Sequence, residues 1–135
     1  MDRWLAISDG ATAALHALAF AASQGGLVSA KAVAEEIGVS PSYLAKLLQS
    51  LAKADFIEAT RGANGGFSVR GDPASRNCLE VVLAIDGPAP ARACLFPEAT
   101  CSTKSCVFSA LCAEVGQKAR AVLEGTSLLD LSRSY

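Results

Sequence analysis

Four of the five cysteines in this chain, Cys94, Cys101, Cys106 and Cys112, fall within 19 residues of one another. Thiolates are soft anionic ligands and also the nucleophiles of redox chemistry, so this cluster is where chemistry is to be sought. The first three lie in a stretch that reads as a loop behind Pro88 and Pro90, and three thiolates on such a loop can converge on one metal centre. Their spacings of six and four intervening residues are wider than the two-residue knuckles of zinc fingers. An iron–sulfur cluster accepts wider spacing because its irons spread the ligand sulfurs apart. Iron–sulfur centre, zinc and a metal-free thiol sensor all stay open on spacing alone. Cys112 falls six residues after Cys106, on another face of a helix, and reads as packing; so does Cys78 at a helix start.

Positioning such a loop requires a framework, and the framework is legible from Val39 to Arg70. Ser40 is a good N-cap and Pro41 behind it suits the first helical position, where a missing N–H costs nothing. Leu44, Leu47, Leu48, Leu51 and Ala54 then recur at three- and four-residue steps, a helix with one buried stripe. That leaves Ser42, Tyr43, Lys46, Gln49 and Lys53 facing outward. Two short alternating runs follow, Phe56–Thr60 and Phe67–Arg70, joined by Arg61-Gly62-Ala63-Asn64-Gly65-Gly66. Asn-Gly between such runs signals a hairpin, with both central residues expected at positive φ. Upstream, Ser29 and Gly38 bracket a second short helix, and only Val39 separates its stop from the next cap. Two helices this close must cross steeply, as in a helix-turn-helix.

Elsewhere the chain reads as helix. Trp4 to Ala22 carries an apolar face through Leu5, Ala11, Leu15, Leu18 and Ala22, with Asp9 in its first half and the lone His16 as a packing or surface residue. Asn77 with Glu80 approximates a capping box for an almost wholly apolar, buried helix from Leu79 to Ile85. Ser105 can cap a final helix from about Cys106 to Glu124, about 28 Å long. Its stripe of Val107, Leu111, Val115, Ala119 and Val122, with Phe108 and Leu123 beside it, lies beyond the domain that would cover it and favours a partner helix from a second subunit over a fold back onto its own winged domain. Gly125 would end it, and Ser127 to Leu131 forms one last turn.

Composition bounds the function. At 135 residues the chain holds one domain, or one with an oligomerisation arm: residues 1–76 as the DNA-binding domain and 77–135 as linker helix, cysteine loop and dimerisation helix. A net charge of −1 excludes a non-specific nucleic-acid coat but not a specific binder, since basic residues need only cluster on one face. From Ser40 to Arg70 four basic residues stand against two acidic ones. No stretch is apolar enough to span a bilayer, and Asp2 and Asp9 interrupt any signal-peptide pattern, so a cytoplasmic protein is expected. Cysteines there are free thiols or ligands rather than disulfides. No nucleophile–base pair or phosphate loop appears, so an enzyme is not expected. The fold class is therefore mainly α with a small β-wing (α+β), a winged helix-turn-helix with a long C-terminal helix.

With both stretches in hand, the chain resembles the Rrf-type winged-helix transcriptional regulators, the bacterial family of IscR, NsrR and CymR. The likeness rests on Ser29–Gly38, on Ser40-Pro41-Ser42-Tyr43-Leu44, on Leu51–Ile57, on Arg61-Gly62-Ala63-Asn64-Gly65-Gly66-Phe67 as the family's Arg-Gly-x-x-Gly-Gly wing, and on the three-cysteine loop before a long helix. It implies a homodimer on a palindromic double-stranded operator, with the C-terminal helices crossing at its interface. Ser40, Ser42, Tyr43 and Lys46 would meet phosphates and base edges in the major groove, and the wing residues Arg61, Gly62 and Asn64 the minor groove. Cluster-binding members hold a [2Fe–2S] or [4Fe–4S] centre that senses redox state, iron or nitric oxide, which by position gives Cys94, Cys101 and Cys106 as ligands. Where the fourth ligand is a first-helix aspartate from the other subunit, Asp9 corresponds; where it is a histidine, Ser109 stands here. The family spacing is often five and five, which leaves the cluster type open, and Ala45 replaces a glutamate that tunes operator choice. A cluster-free member sensing thiol oxidation or a partner is the alternative. A small electron-transfer or metal-carrier protein would leave the wing unexplained.

Overall fold

The computed structural model describes residues 7–88 and 106–135. Its elements are α1 (Asp9–Gln24), α2 (Ala30–Ile37), α3 (Pro41–Lys53), β1 (Ile57–Thr60), β2 (Gly66–Val69), α4 (Cys78–Asp86), α5 (Ser109–Gly125) and α6 (Leu128–Ser132), with a 3₁₀ turn at Pro73–Ser75. The mainly helical fold with a two-stranded wing is the expected class. Among the described residues no helix is long and apolar enough to cross a membrane.

The centre of the fold is α1, which touches α2, α3, α4, α6 and β2. Its inner surface is Ala11, Ala14, Ala17, Ala19 and Ala21 around one large residue, Leu18, all buried. Small side chains let several neighbours approach the helix closely, which is what a many-sided central helix needs. Its start differs from expectation. The helix begins at Asp9, not Trp4, because Ser8 is extended and its hydroxyl accepts the Ala11 amide proton at 3.0 Å. Asp9 is thus the first helical residue, where a negative charge suits the helix dipole. The far end stops at Gly25 with φ +68°.

The helix pair formed as its caps dictate. Ser29 accepts from Ala32 N at 3.1 Å, Gly38 closes α2 at φ +70°, and Ser40 accepts from Tyr43 N at 3.2 Å to open α3. Leu44, Leu47 and Leu51 are buried while Ser42, Tyr43, Lys46, Gln49 and Lys53 face outward. A device not anticipated ends α3. Asp55 sits at φ +61°, with Phe56 N donating to Leu51 O at 2.9 Å and Asp55 N to Ala52 O at 3.1 Å. These two bonds make a Schellman stop with Asp55 in the place usually held by glycine, and Asp tolerates that backbone better than most residues.

The wing pairs Ile57 with Val69, Glu58 with Ser68, Ala59 with Phe67 and Thr60 with Gly66. Its turn corrects the sequence expectation: neither Asn64 nor Gly65 has positive φ. The left-handed residue is Gly62 at φ +119°, and Gly65 N donates to Gly62 O at 2.9 Å, so the turn centres on Ala63-Asn64. Gly65 and Gly66 are required by space instead. A Cβ on Gly65 would stand 2.4 Å from Thr60 O, and one on Gly66 2.1 Å from Val28 O. Val28 lies so close because it joins β2 as an isolated bridge, exchanging two 2.8 Å bonds with Phe67.

Beyond the wing, Asn77 and Glu80 form the expected capping box of α4. The helix is not buried throughout: Cys78, Leu79, Val81 and Val82 are inside, whereas Leu83 and Ala84 are exposed, although α4 packs against α1, α3 and α5. The last long helix starts at Ser109 rather than Cys106. Phe108 precedes it with no side-chain cap, and its 17 residues run about 26 Å. Ser105 lies outside the described residues. A short α6, capped by Ser127 with Asp130 in a reciprocal box, returns to the core, where Leu128 is fully buried.

Candidate nucleic-acid interface and cysteine site

The outward face of α3 is built by its cap and its stripe: Ser40 fixes the first turn, and burial of Leu44, Leu47 and Leu51 turns Ser42, Tyr43 and Lys46 to solvent. Ser40 Oγ is already engaged with the Tyr43 amide and lies 3.4 Å from Ser42 Oγ, leaving Ser42 and Lys46 as the open polar groups of that turn. Tyr43 is 38 % exposed, and its hydroxyl leans towards the first turn of α1, 3.6 Å from where a Cβ on Gly10 would be. Arg61, Gly62, Ala63 and Asn64 are all exposed at the wing tip. This is the arrangement that can follow a phosphate backbone: a helix N-terminus with small hydroxyls and a cation, then a narrow hairpin carrying one arginine.

What holds the wing root is a residue that sequence reasoning passed over. The Arg76 guanidinium lies 4.1 Å over the Phe56 ring, donates from Nη1 to the Asp55 carbonyl at 3.2 Å, and meets Glu80 at 3.5 Å through Nε. It thereby ties the stop of α3 and the start of β1 to the first turn of α4. The sequence signal was present as the four-residue Arg76–Glu80 step. Replacing Arg76 with alanine should cost about 1–2 kcal/mol, from the lost stacking and one charge-assisted bond. Lysine should not restore it, lacking the planar fork. Thermal unfolding by circular dichroism checks both; an unchanged midpoint for Arg76→Ala would refute the clamp. The exposed Arg70–Asp55 pair at 3.1 Å contributes far less.

The cysteines separate by environment. Cys78 is buried, and that burial, with the Asp130 carboxylate adding, pushes its thiol up, so it stays protonated and a poor nucleophile. Cys112 is buried too. Cys106 is half-buried just before α5, and its carbonyl accepts from Ser109 N at 3.0 Å. Cys94 and Cys101 lie outside the described residues. Asp9 is exposed at the start of α1. Among the described residues no three His, Cys, Asp or Glu side chains gather into one group. His16 is engaged elsewhere: its Nδ1 bonds the Tyr135 hydroxyl, and the two rings meet edge to face at 6.0 Å.

Just ahead of α5, Val107 is 86 % exposed and Phe108 is uncovered, and on the helix itself Val122 is 58 % exposed with Leu111 and Val115 also uncovered. A groove of ≈ 360 Å³ runs between Ile7 and the Val115–Leu123 face of this helix.

A closely joined helix pair, an exposed first turn and a glycine-cramped wing define a winged helix-turn-helix DNA-binding protein. The family model of the Rrf2 iron-dependent transcriptional regulators matches residues 7–134, and the chain belongs to that family. It is accordingly a DNA-binding transcription regulator and not an enzyme. Among curated relatives it is 40 % identical over 60 residues to the HTH-type regulator YffB of Lactococcus lactis, covering 44 % of this chain and 38 % of that one. Over 118 residues it is 29 % identical to the HTH-type regulator ORF2 of Azotobacter vinelandii, covering 87 % and 68 %. In structure it is similar to CymR, the global cysteine regulator of B. subtilis, with a TM-score of 0.78, 23 % identity and coverage of 97 % and 98 %. It is also similar to T. potens IscR, with a TM-score of 0.71, 23 % identity and coverage of 96 % and 88 %. These structural likenesses concern the fold.

Proposed function

We propose that this chain is a cytoplasmic homodimer that binds a palindromic operator and reports iron or redox state through an iron–sulfur cluster. The observation that carries the DNA half is the exposed first turn of α3 beside a wing whose tip presents Arg61 and Asn64. Ser42, Tyr43 and Lys46 meet phosphates and base edges in the major groove, while Ser40 holds the helix start. Arg61 enters the flanking minor groove, where negative potential is greatest, and Gly62 and Asn64 lie along its wall. The uncovered apolar stripe of α5 supports dimerisation, and two reading heads on a two-fold axis match a palindrome.

For the sensor, the donor chemistry fits. Cys94, Cys101 and Cys106 supply thiolates, and Cys106 is partly open where Cys78 and Cys112 are closed. Asp9 would supply a carboxylate from the partner subunit. When bound, the cluster supplies reversible one-electron and oxygen-sensitive chemistry. The chain's own part is to hold the thiolates and to transmit their arrangement to the helix pair.

Two measurements test this reading. Selection from a random duplex library should enrich a palindrome, and Arg61→Ala should then weaken binding by about 1–3 kcal/mol at matched salt. Equal affinity would remove Arg61 from the minor groove. Anaerobic purification should yield a brown protein with stoichiometric iron and acid-labile sulfide, lost in Cys106→Ser. A colourless protein that takes up no iron on reconstitution would make the same cysteines a thiol sensor and leave the DNA reading standing.

A further inference from the structure

At one point three elements meet: the start of α1, the end of α4 and the first turn of α3. Asp86 is the last residue of α4, and its carboxylate grips the N-cap of α1. The Ser8 amide donates to Asp86 Oδ2 at 2.9 Å, and the Ser8 hydroxyl donates to Oδ1. Ser8 Oγ in turn accepts from Ala11 N, so one hydroxyl both caps α1 and ties it to α4. Two residues on from Ser8, Gly10 faces all three elements: a Cβ there would lie 3.5 Å from Ser8 Oγ, 3.6 Å from Ile85 Cγ2 and 3.6 Å from Tyr43 Oη. The Tyr43 hydroxyl therefore lies beside the turn that Asp86 holds.

We propose that Asp86 is a positioning residue: through Ser8 it sets the first turn of α1 against which Tyr43, and with it the DNA-reading turn of α3, is seated. Three features carry this. A carboxylate at a helix C-terminus is opposed by that helix's own dipole, so Asp86 gains from the two Ser8 donors at the positive end of α1. The chain leaves α4 immediately after Asp86, at Gly87 with φ +77°, so Asp86 is the last residue the helix holds in place. Finally, Asp9 stands between Ser8 and Gly10, so the same turn presents the proposed carboxylate ligand. The inference rests on the DNA reading above for one of its two tests only.

The first test needs neither DNA nor metal. In hydrogen exchange on the full-length iron-free protein, Asp86→Ala should speed exchange in the first turns of α1 and α3 several-fold and leave α2 unchanged. Asp86→Asn, which keeps an acceptor for Ser8, should restore part of the protection, a rescue that a general loss of stability would not show. Unaltered exchange at α3 in Asp86→Ala overturns the proposal whatever the protein binds. The second test is a double-mutant cycle with Tyr43→Phe on operator affinity, again without iron. Each single change should weaken binding about five-fold and the pair no more than about ten-fold, because both disturb one contact. A pair whose effects multiply fully overturns it. Absence of any selected operator would instead refute the DNA reading and leave the exchange result decisive.

Discussion

Gly66→Ala should abolish the seating of the wing and destabilise the protein by about 2–4 kcal/mol. The new methyl would stand 2.1 Å from Val28 O and 2.8 Å from Val28 C, and both are backbone atoms with no rotamer to turn aside. Relief requires Val28 to leave β2, which opens its two 2.8 Å bonds with Phe67. Each is worth about 0.5–1.5 kcal/mol net. It would also loosen Phe67, a core phenylalanine only 2 % exposed, whose burial is worth about 1.5–3 kcal/mol. The melting midpoint should fall by roughly ten degrees. Gly26→Ala is the control, because nothing lies within 4 Å of that position and its backbone is ordinary. A Gly66→Ala protein that melts with the wild type would show that Val28 does not lie against β2.

Leu44→Ala should have an effect of similar size through a different cause. Leu44 is fully buried in the cluster that includes Leu18, Val33, Leu51 and Phe56. Truncation removes its transfer energy and leaves a cavity that the surrounding helices close only in part, together about 2–5 kcal/mol. That is a large share of the stability of a chain this size, about 5–15 kcal/mol. Urea unfolding reads the loss as a lower midpoint at similar slope. Because Leu44 and Lys46 lie on opposite faces of α3, operator affinity measured cold, where both proteins are folded, should change far less than with Arg61→Ala. If Leu44→Ala lost DNA binding while keeping its urea midpoint, the assignment of faces on α3 would be reversed.

The two classes of expectation that met the structure differently have a common explanation. Caps and stripes are local: Ser29, Ser40 and Asn77 each accept from the amide three residues on, and Leu44, Leu47 and Leu51 recur at the helical period whatever surrounds them. Those elements were legible residue by residue. The start of α1 was misjudged because Leu5 and Ile7 extend an apolar pattern across Ser8, whose preference for the N-cap is strengthened by a bond to Asp86, 78 residues away. Likewise Asn64-Gly65 has the composition of a primed turn, yet the loop between Thr60 and Gly66 is five residues long, and Gly62 takes the left-handed position instead.

By itself, then, the order of amino acids determined the capped helix pair, the hairpin after it and the family, since each depends on neighbours within a few positions. Only the tertiary structure decided why Gly65 and Gly66 are glycines, what Arg76 clamps, and that Asp86, Ser8, Gly10 and Tyr43 share one junction. Those facts are steric and electrostatic contacts between segments tens of residues apart, and no local pattern encodes a distance across the fold.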